Sequence, residues 1–154
     1  MNIRLAKKSE FSDCMKIVNG LTDWFDEDDA KAIEEAIHSL PVYIYIDNNR
    51  IIGFACINNK FNNAIEIEYL AVNINNRDKG IGTEIINFIE NTIAKNMPIE
   101  VKTLDEGRDY EPYSKTRAFF EKNGFVKIEV IYPYPGWSEG CPCAIYIKCP
   151  KISD

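Results

Sequence analysis

The chain has 154 residues, of which 45% are hydrophobic and 27% are charged, and its formal net charge is −6. These fractions are typical of a globular protein, and no apolar run approaches the roughly 18 residues that a membrane span needs. The acidic balance argues against nucleic-acid binding and favours a cationic or neutral partner.

The first half of the chain predicts a short strand, two helices and three further strands. Apolar residues recur at helical spacing until Gly20, and acidic residues open the second helix, where they suit the helix dipole. Alternating apolar residues after Pro41 are typical of strands joined by polar turns. The predicted elements are strand 3–6, helices 9–20 and 26–40, and strands 42–46, 50–57 and 64–72.

The second half predicts two more helices and three more strands. The strand after Pro98 follows a helix, so it is expected to lie parallel to the strand before that helix. The order is therefore β-α-α-β-β-β-α-β-α-β-β, which predicts a mixed sheet with helices on both faces. The elements are helix 81–95, strand 99–103, a helix from about Pro112 to Asn123-Gly124, and strands 125–131 and 144–149.

A glycine-containing turn, Arg77-Asp78-Lys79-Gly80-Ile81-Gly82, leads from strand 64–72 into the long helix. The first backbone N–H groups of a helix lack intrahelical partners, and glycines let a ligand approach them closely. The turn therefore suits a phosphate, although a tight helix start without a ligand gives the same pattern. A Rossmann turn needs a third glycine and a Walker loop needs Gly-Lys-Ser/Thr, and this turn has neither.

Two motifs and the element order resemble the GNAT acetyltransferase superfamily, whose members use acetyl-CoA. The turn 77–82 is similar to the family's Arg/Gln-x-x-Gly-x-Gly pyrophosphate turn, and 118–125 is similar to its helix ending in aromatic-Glu-Lys-x-Gly-Phe. Residues 110–117 and Pro142-Cys143 more narrowly resemble small bacterial members of undefined substrate. The resemblance covers essentially the whole chain and implies the GNAT fold, an α/β (α+β) architecture with a mixed central sheet of about seven strands.

By this resemblance, acetyl-CoA binds at the turn and along the strand before it. The pyrophosphate would contact the backbone N–H groups after Arg77, and the pantetheine arm would pair with the strand where it splays from 99–103. The expected cofactor contacts are Leu70, Ala71, Val72, Arg77, Asp78, Lys79, Gly80, Ile81, Gly82, Thr83, Thr116 and Phe120.

Transfer to an amine needs a base, because a primary amine with a pKa near ~10.4 is protonated at neutral pH. In strict alternation Glu66 and Glu68 share one face of their strand, opposite Ile65, Ile67 and Tyr69. Glu66 matches the position where some GNAT members carry a general base, and Glu68 lies one alternation nearer the thioester. Either could act through water, and the alternative is that both face solvent.

The leaving thiolate also needs a proton. Many GNAT members use a tyrosine where this chain has Phe120. Tyr113 lies about two helical turns earlier on the same face and is the candidate donor, or else a packed aromatic. A thiol pKa near ~8.5 also allows solvent to protonate the thiolate.

Two pairs of aromatic residues are expected beside the acceptor. Trp24 and Phe25 lie between the first two helices, and Tyr134 and Trp137 lie between the last two strands. In GNAT-like folds these loops flank the acceptor site, so we expect an aromatic-walled pocket; a core edge or a homodimer contact is the alternative.

Several features point to an ordinary cytoplasmic protein. No repeat or linker divides residues 1–154, which are expected to form one domain, and the first residues lack a signal-peptide segment. Five cysteines are an odd number for a disulfide framework. Cys141 and Cys143 lack ligand pairs at zinc-finger spacing, and the single histidine, His38, is distant in sequence, so no metal is expected.

Two functions remain from this reading. The first is an N-acetyltransferase that moves acetyl from acetyl-CoA to an amine of a small molecule or peptide, with Glu66 or Glu68 as base. The second is an acyl-CoA-binding regulatory module with weak or no turnover, which Phe120 favours. A transferase of larger acyl groups is a third alternative.

Overall fold

A computed structural model describes residues 2–107 and 110–152. The predicted element order is confirmed. The strands are β1 Ile3–Leu5, β2 Val42–Asp47, β3 Arg50–Lys60, β4 Ala64–Val72, β5 Ile99–Leu104, β6 Val126–Ile131 and β7 Cys143–Lys148. The helices are α1 Phe11–Asn19, α2 Glu27–Ser39, α3 Ile81–Phe88 and α4 Glu111–Lys122.

Two element bounds differ from the sequence prediction by more than one or two residues. β3 runs on through Asn58 and Asn59, which the sequence placed in a turn, because Asn58 pairs with Glu66 across the sheet. The long helix is α-helical only to Phe88 and continues as a π-helical turn over Ile89–Ala94. Polar residues within a strand, and a change in helical winding, leave no clear mark in a hydrophobic pattern.

The strands form one sheet in the order β1-β2-β3-β4-β5-β7-β6. All neighbours are antiparallel except β4 and β5, which are parallel as predicted. On one side lies the α3–α4 core, which contains Ile65, Ile67, Ile85, Val101, Phe120 and Tyr146. On the other lies the α1–α2 core, which contains Ile17, Ile33, Ile37, Phe54 and Ala71. None of the helices in residues 2–107 and 110–152 is long and apolar enough to cross a membrane.

A β-bulge interrupts β4 at Glu68. Cys56 of β3 pairs with Tyr69, but the next residue of β3 pairs with Ile67, so Glu68 has no direct partner. The prediction that Tyr69 shares a face with Ile67 is therefore wrong: Tyr69 packs against the α1–α2 core, while Ile67 lies in the α3–α4 core. The extra residue shifts the alternation by one position.

β4 and β5 separate soon after they meet. They pair only at Ile65 with Ile99 and at Glu66 with Glu100. Beyond these pairs β4 continues for six residues to Val72, and β5 continues for four residues to Leu104. β3 pairs with one edge of β4 and β7 with one edge of β5, so the two facing edges lack strand partners there.

Candidate functional site

The start of α3 is built to leave backbone N–H groups accessible. Gly80 is its N-cap, with φ 82 and ψ 0, and no side chain caps this end of the helix. By contrast, the Asp26 side chain caps α2 by accepting a hydrogen bond of 2.8 Å from the Asp29 N–H. The N–H groups at the start of α3, at Ile81, Gly82 and Thr83, are the orphan donors of a helix terminus and point out of it.

Gly82 is needed for packing as well as for access. A Cβ atom at this position would lie 2.8 Å from Cζ of Phe119, closer than real Cβ contacts allow. The ring of Phe119 therefore lies directly against the first turn of α3. At Gly80 a Cβ would meet nothing within 4 Å, so only its positive φ favours glycine there.

The two basic residues of the turn have different surroundings. Lys79 donates a hydrogen bond of 3.0 Å to the Asn75 carbonyl. The Arg77 guanidinium carbon lies 4.0 Å from the centre of the Trp24 ring. Asp78 is exposed and has a positive φ of 60.

The expected pantetheine strand lies along the gap between β4 and β5. Ala71 is buried in the α1–α2 core, whereas Leu70 and Val72 pack against the α3–α4 core. Across the gap, the Thr103 hydroxyl is buried, and within the described residues it has no hydrogen-bond partner. Thr103 follows Val101 by two residues, so it faces the α3–α4 side.

Glu66 is a buried, doubly paired carboxylate. It is 4% exposed, and its oxygens lie 2.6 Å from Lys60 Nζ and 2.8 Å from Lys102 Nζ. Lys102 also lies 3.1 Å from Glu100. Burial alone would lower the pKa of Lys102, but the hydrogen bond to Glu66, its charge and Glu100 raise the pKa above its usual value. Lys102 is therefore an ammonium ion, and Glu66 is its counterion.

Glu68, at the bulge, has a lighter set of contacts. The Asn58 amide donates a hydrogen bond of 3.1 Å to its Oε2, and no lysine or arginine of the described chain forms an ion pair with it. The side chain is half-buried. Burial first, and then the charge of Glu68, raises the pKa of neighbouring Tyr69 to about 12. Of the two predicted bases, Glu68 keeps the freer carboxylate.

Three predicted residues of α4 make internal contacts. The Tyr113 hydroxyl donates a hydrogen bond of 2.6 Å to the Trp24 carbonyl, and burial, followed by the charge of Asp29, raises the pKa of Tyr113 to about 12. The Thr116 hydroxyl donates to the Pro112 carbonyl in its own helix. Phe120 is 7% exposed in the α3–α4 core.

The four predicted acceptor aromatics lie in two separate loops. Trp24 and Phe25 precede α2, and the Trp24 indole N–H donates 3.1 Å to the Pro112 carbonyl. Tyr134 and Trp137 pack with ring centres 5.3 Å apart between β6 and β7. Lys102 Nζ lies 5.7 Å from the centre of the Tyr134 ring, which connects this loop to Glu66.

Sequence reasoning missed the partners of the two carboxylates. Lys60, Lys102 and Asn58 lie on the strands flanking β4, and only their register shows that they reach it. One signal was available: Glu100 and Lys102 alternate on the strand predicted to lie parallel to β4.

Metal ligands form no cluster, since no three His, Cys, Asp or Glu side chains within residues 2–107 and 110–152 are placed to hold an ion.

Comparisons with known proteins agree with this fold. Residues 38–127 match the family model described as an acetyltransferase (GNAT) domain. No curated protein matches the sequence. Among solved structures, a GNAT-family acetyltransferase from Bacillus cereus superposes with TM-score 0.74 and 16% identity, covering 98% of both chains.

Two other superposed structures carry more specific descriptions. An aminoglycoside 6'-N-acetyltransferase in complex with coenzyme A has TM-score 0.75 and 17% identity, covering 100% of this chain and 99% of its own. The ribosomal-protein-S18-alanine N-acetyltransferase from Escherichia coli has TM-score 0.75 and 11% identity, covering 99% and 95%. At such identities these structures show a common fold.

Proposed function

The chain belongs to the GNAT acetyltransferase family, and from this premise we propose that it moves an acetyl group from acetyl-CoA to an amine of a small molecule or peptide. The observation that carries this proposal is the gap between β4 and β5, which ends beside the uncapped start of α3. An extended pantetheine arm would bond the unpaired strand edges, and the phosphates would bind the helix N–H groups. Residues 1–154 would act as one catalytic domain.

We assign the base to Glu68 and a structural role to Glu66. Glu66 already neutralises two ammonium groups, and protonating or moving it would leave Lys60 without its ion-pair partner and Lys102 with Glu100 alone. Glu68 accepts one hydrogen bond, from the Asn58 amide, and the β-bulge at Glu68 takes its side chain out of the regular alternation of β4. Glu68 would take a proton from the acceptor ammonium, directly or through water, before the amine attacks the thioester carbon.

No covalent acyl-enzyme is required. The amine forms the new C–N bond as the C–S bond breaks, and the thiolate leaves with a pKa near ~8.5, which lets water protonate it. We place Tyr113 in loop support, because its hydroxyl proton is engaged by the Trp24 carbonyl. If Tyr113 donates the proton, Tyr113→Phe should lower kcat. If solvent donates the proton, kcat should not fall in this variant.

Local charge favours a cationic acceptor. Asp26, Asp29 and Glu68 have no lysine or arginine ion-pair partner in the described chain, whereas Glu66 and Glu100 do. After burial, the charges of Asp29 and Asp26 contribute to the raised pKa of Tyr113, and those of Glu68 and Asp29 to the raised pKa of Tyr69, so negative charge acts near both tyrosines. An ammonium group would be attracted there.

Two variants separate the roles of the glutamates. Glu68→Gln should lower kcat/KM with an accepted amine by about 100-fold or more at neutral pH, as expected for a lost general base, with little effect on stability. Glu66→Gln should mainly lower the urea midpoint, because Lys60 loses its counterion and Lys102 keeps only Glu100. Equal kinetic losses in both variants, or none in Glu68→Gln, would make the assignment of the base wrong.

An acyl-CoA-binding module without turnover is the second candidate, favoured by Phe120 in the core and by the engaged Tyr113 hydroxyl. Calorimetry with CoA and an acetyl-CoA consumption screen over polyamines, aminoglycosides, amino acids and peptides decide between the two. CoA binding that Gly80→Arg abolishes, without turnover of any amine, supports the module. Unchanged CoA affinity in Gly80→Arg removes the cofactor site from both candidates.

A further inference from the structure

Arg77 is a half-buried cation whose hydrogen-bonding groups are unused within the described chain. Its guanidinium lies over the Trp24 ring, and it forms neither an ion pair nor a side-chain hydrogen bond with residues 2–107 or 110–152. Burial lowers the pKa of Arg77, and Asp78 offsets this only in part. Stacking uses the face of a guanidinium and leaves the N–H groups around its edge able to donate.

Trp24 is itself held from several sides. Its indole N–H donates to the Pro112 carbonyl at 3.1 Å, and its own carbonyl accepts from the Tyr113 hydroxyl at 2.6 Å. The preceding carbonyl, of Asp23, accepts from the Tyr110 hydroxyl at 2.7 Å. Three residues at the start of α4 therefore fix the loop before α2, and the ring on this loop fixes the position of Arg77.

Arg77 lies three residues before Gly80, at the approach to the uncapped end of α3. Lys79 is exposed and donates to the Asn75 carbonyl, whereas Arg77 is the half-buried basic side chain of the turn and has no side-chain hydrogen bond in the described residues. Holding an unpaired guanidinium partly out of water is unfavourable unless an anion completes it. A phosphate group of the cofactor is the anion that the proposed site brings to this position.

We propose that Trp24 is a positioning residue for the cofactor: it holds Arg77 flat so that the guanidinium edge donates to a phosphate oxygen of CoA. This inference presupposes the acetyl-CoA site proposed above. In this role Trp24 supports the cofactor site, whereas the sequence predicted that Trp24 lies in the wall of the acceptor pocket. It also makes the loop before α2 common to both substrates, so that cofactor and acceptor binding are coupled.

The test compares two acetyl donors that differ in phosphate. Trp24→Leu and Arg77→Gln should each raise the Kd for CoA by roughly 3- to 30-fold, the range expected for a cation–π contact and the bond it supports. The double variant should be little worse than either single one, because both changes remove one arrangement. With acetyl-pantetheine, which lacks the phosphates, the two variants should lose much less in kcat/KM than they lose with acetyl-CoA.

Two further variants serve as controls. Trp24→Phe keeps a ring for Arg77 but loses the indole bond to Pro112, so its Kd should fall between wild type and Trp24→Leu. Phe25→Leu changes the adjacent aromatic of the same loop and should leave the Kd for CoA unaltered. Urea unfolding of each variant confirms that the fold is retained.

Several outcomes would overturn this role for Trp24. An unchanged Kd for CoA in Arg77→Gln or Trp24→Leu excludes the phosphate contact. An equal loss with acetyl-pantetheine, or a rise in acceptor KM alone, returns Trp24 to the acceptor side. Additive effects in the double variant mean that the two residues act separately. Failure of the wild-type protein to bind CoA would refute the proposed function itself. That result is distinct from every outcome that concerns the variants alone.

Discussion

Gly80 and Gly82 begin α3 only two residues apart, yet a side chain is excluded from each for a different reason. At Gly80 the space is open and the backbone is left-handed, with φ 82. At Gly82 the backbone is helical and the ring of Phe119 occupies the space. A pattern of two glycines in the sequence does not distinguish these reasons, because Phe119 lies 37 positions away.

Gly82→Ala should lower the free energy of unfolding by about 1–3 kcal/mol through overpacking against Phe119. Gly80→Ala should lower it by about 1–2 kcal/mol through left-handed strain, with no dependence on Phe119. Urea unfolding of both variants, alone and combined with Phe119→Leu, measures the two losses in the free energy of unfolding. The loss at Gly82 should shrink in the Phe119→Leu background, and a loss of equal size in both backgrounds would contradict the steric explanation.

Thr103→Val tests the buried hydroxyl beside the gap. Because the hydroxyl has no partner in the described chain, its removal should leave stability unchanged or raise it by up to about 1 kcal/mol. If the hydroxyl bonds the cofactor, the Kd for CoA should rise roughly 2- to 12-fold. Thr92→Val, at an exposed position of the π-helical turn, is the matched control. An unaltered Kd for Thr103→Val would show that the hydroxyl does not contact CoA.

At the scale of elements, the order of helices and strands follows from local patterns, so it could be read from the sequence. The parallel pairing of β4 and β5 also follows, because a helix connects them. The bulge at Glu68 could not be predicted, since it depends on the register with β3. For the same reason the two lysines on Glu66 come from neighbouring strands that a single strand's alternation does not specify.

One ion pair connects β1 to the start of α1. Both oxygens of Glu10 accept from Arg4, at 2.7 and 2.9 Å, and Oε2 also accepts from the Lys7 N–H. The hydrogen bonds from Arg4 and then Lys7 lower the pKa of Glu10 to about 2. A lowered folded-state pKa stabilises the fold above the unfolded value near ~4.3, and this stabilisation is lost as the pH falls towards 2.

Glu10→Gln should therefore flatten the decline of the urea midpoint between these two pH values. The effect should be small and weaker in high salt, because the pair is solvent-exposed. Urea midpoints at neutral and acid pH, at two salt concentrations, give the comparison, and Asp13→Asn in α1 is the control. A decline as steep as in the wild-type protein would show that Glu10 does not contribute.

For the whole molecule, the two outer strands differ from the interior ones. β1 has three residues. β6 exposes Val126, Ile128 and Val130 at 64%, 61% and 43%, but it is interrupted by a bulge at Ile128 and carries Lys127 and Glu129. Short length, charge and bulges are the usual protections of a sheet edge.

CoA should stabilise the whole fold, because the proposed site includes β4, β5, α3 and the start of α4. A ligand at 100 times its Kd adds about 2.7 kcal/mol, which corresponds to roughly 5–11 °C in Tm for a chain of this size. Thermal unfolding with and without millimolar CoA measures the shift, and the Gly80→Arg variant should lose it. No shift for the wild-type protein would contradict the proposed site.

The unpaired strand groups between β4 and β5 lie where they are protected from self-association. Strand groups without partners are a template on which other chains add and form aggregates. Here those groups lie inside the sheet, between strands still joined at Glu66 and Glu100 and flanked by β3 and β7. A foreign strand would have to enter a cleft that is closed at one end. Unpaired backbone N–H and C=O groups thus remain accessible to a thin, flexible ligand but not to a strand of another protein.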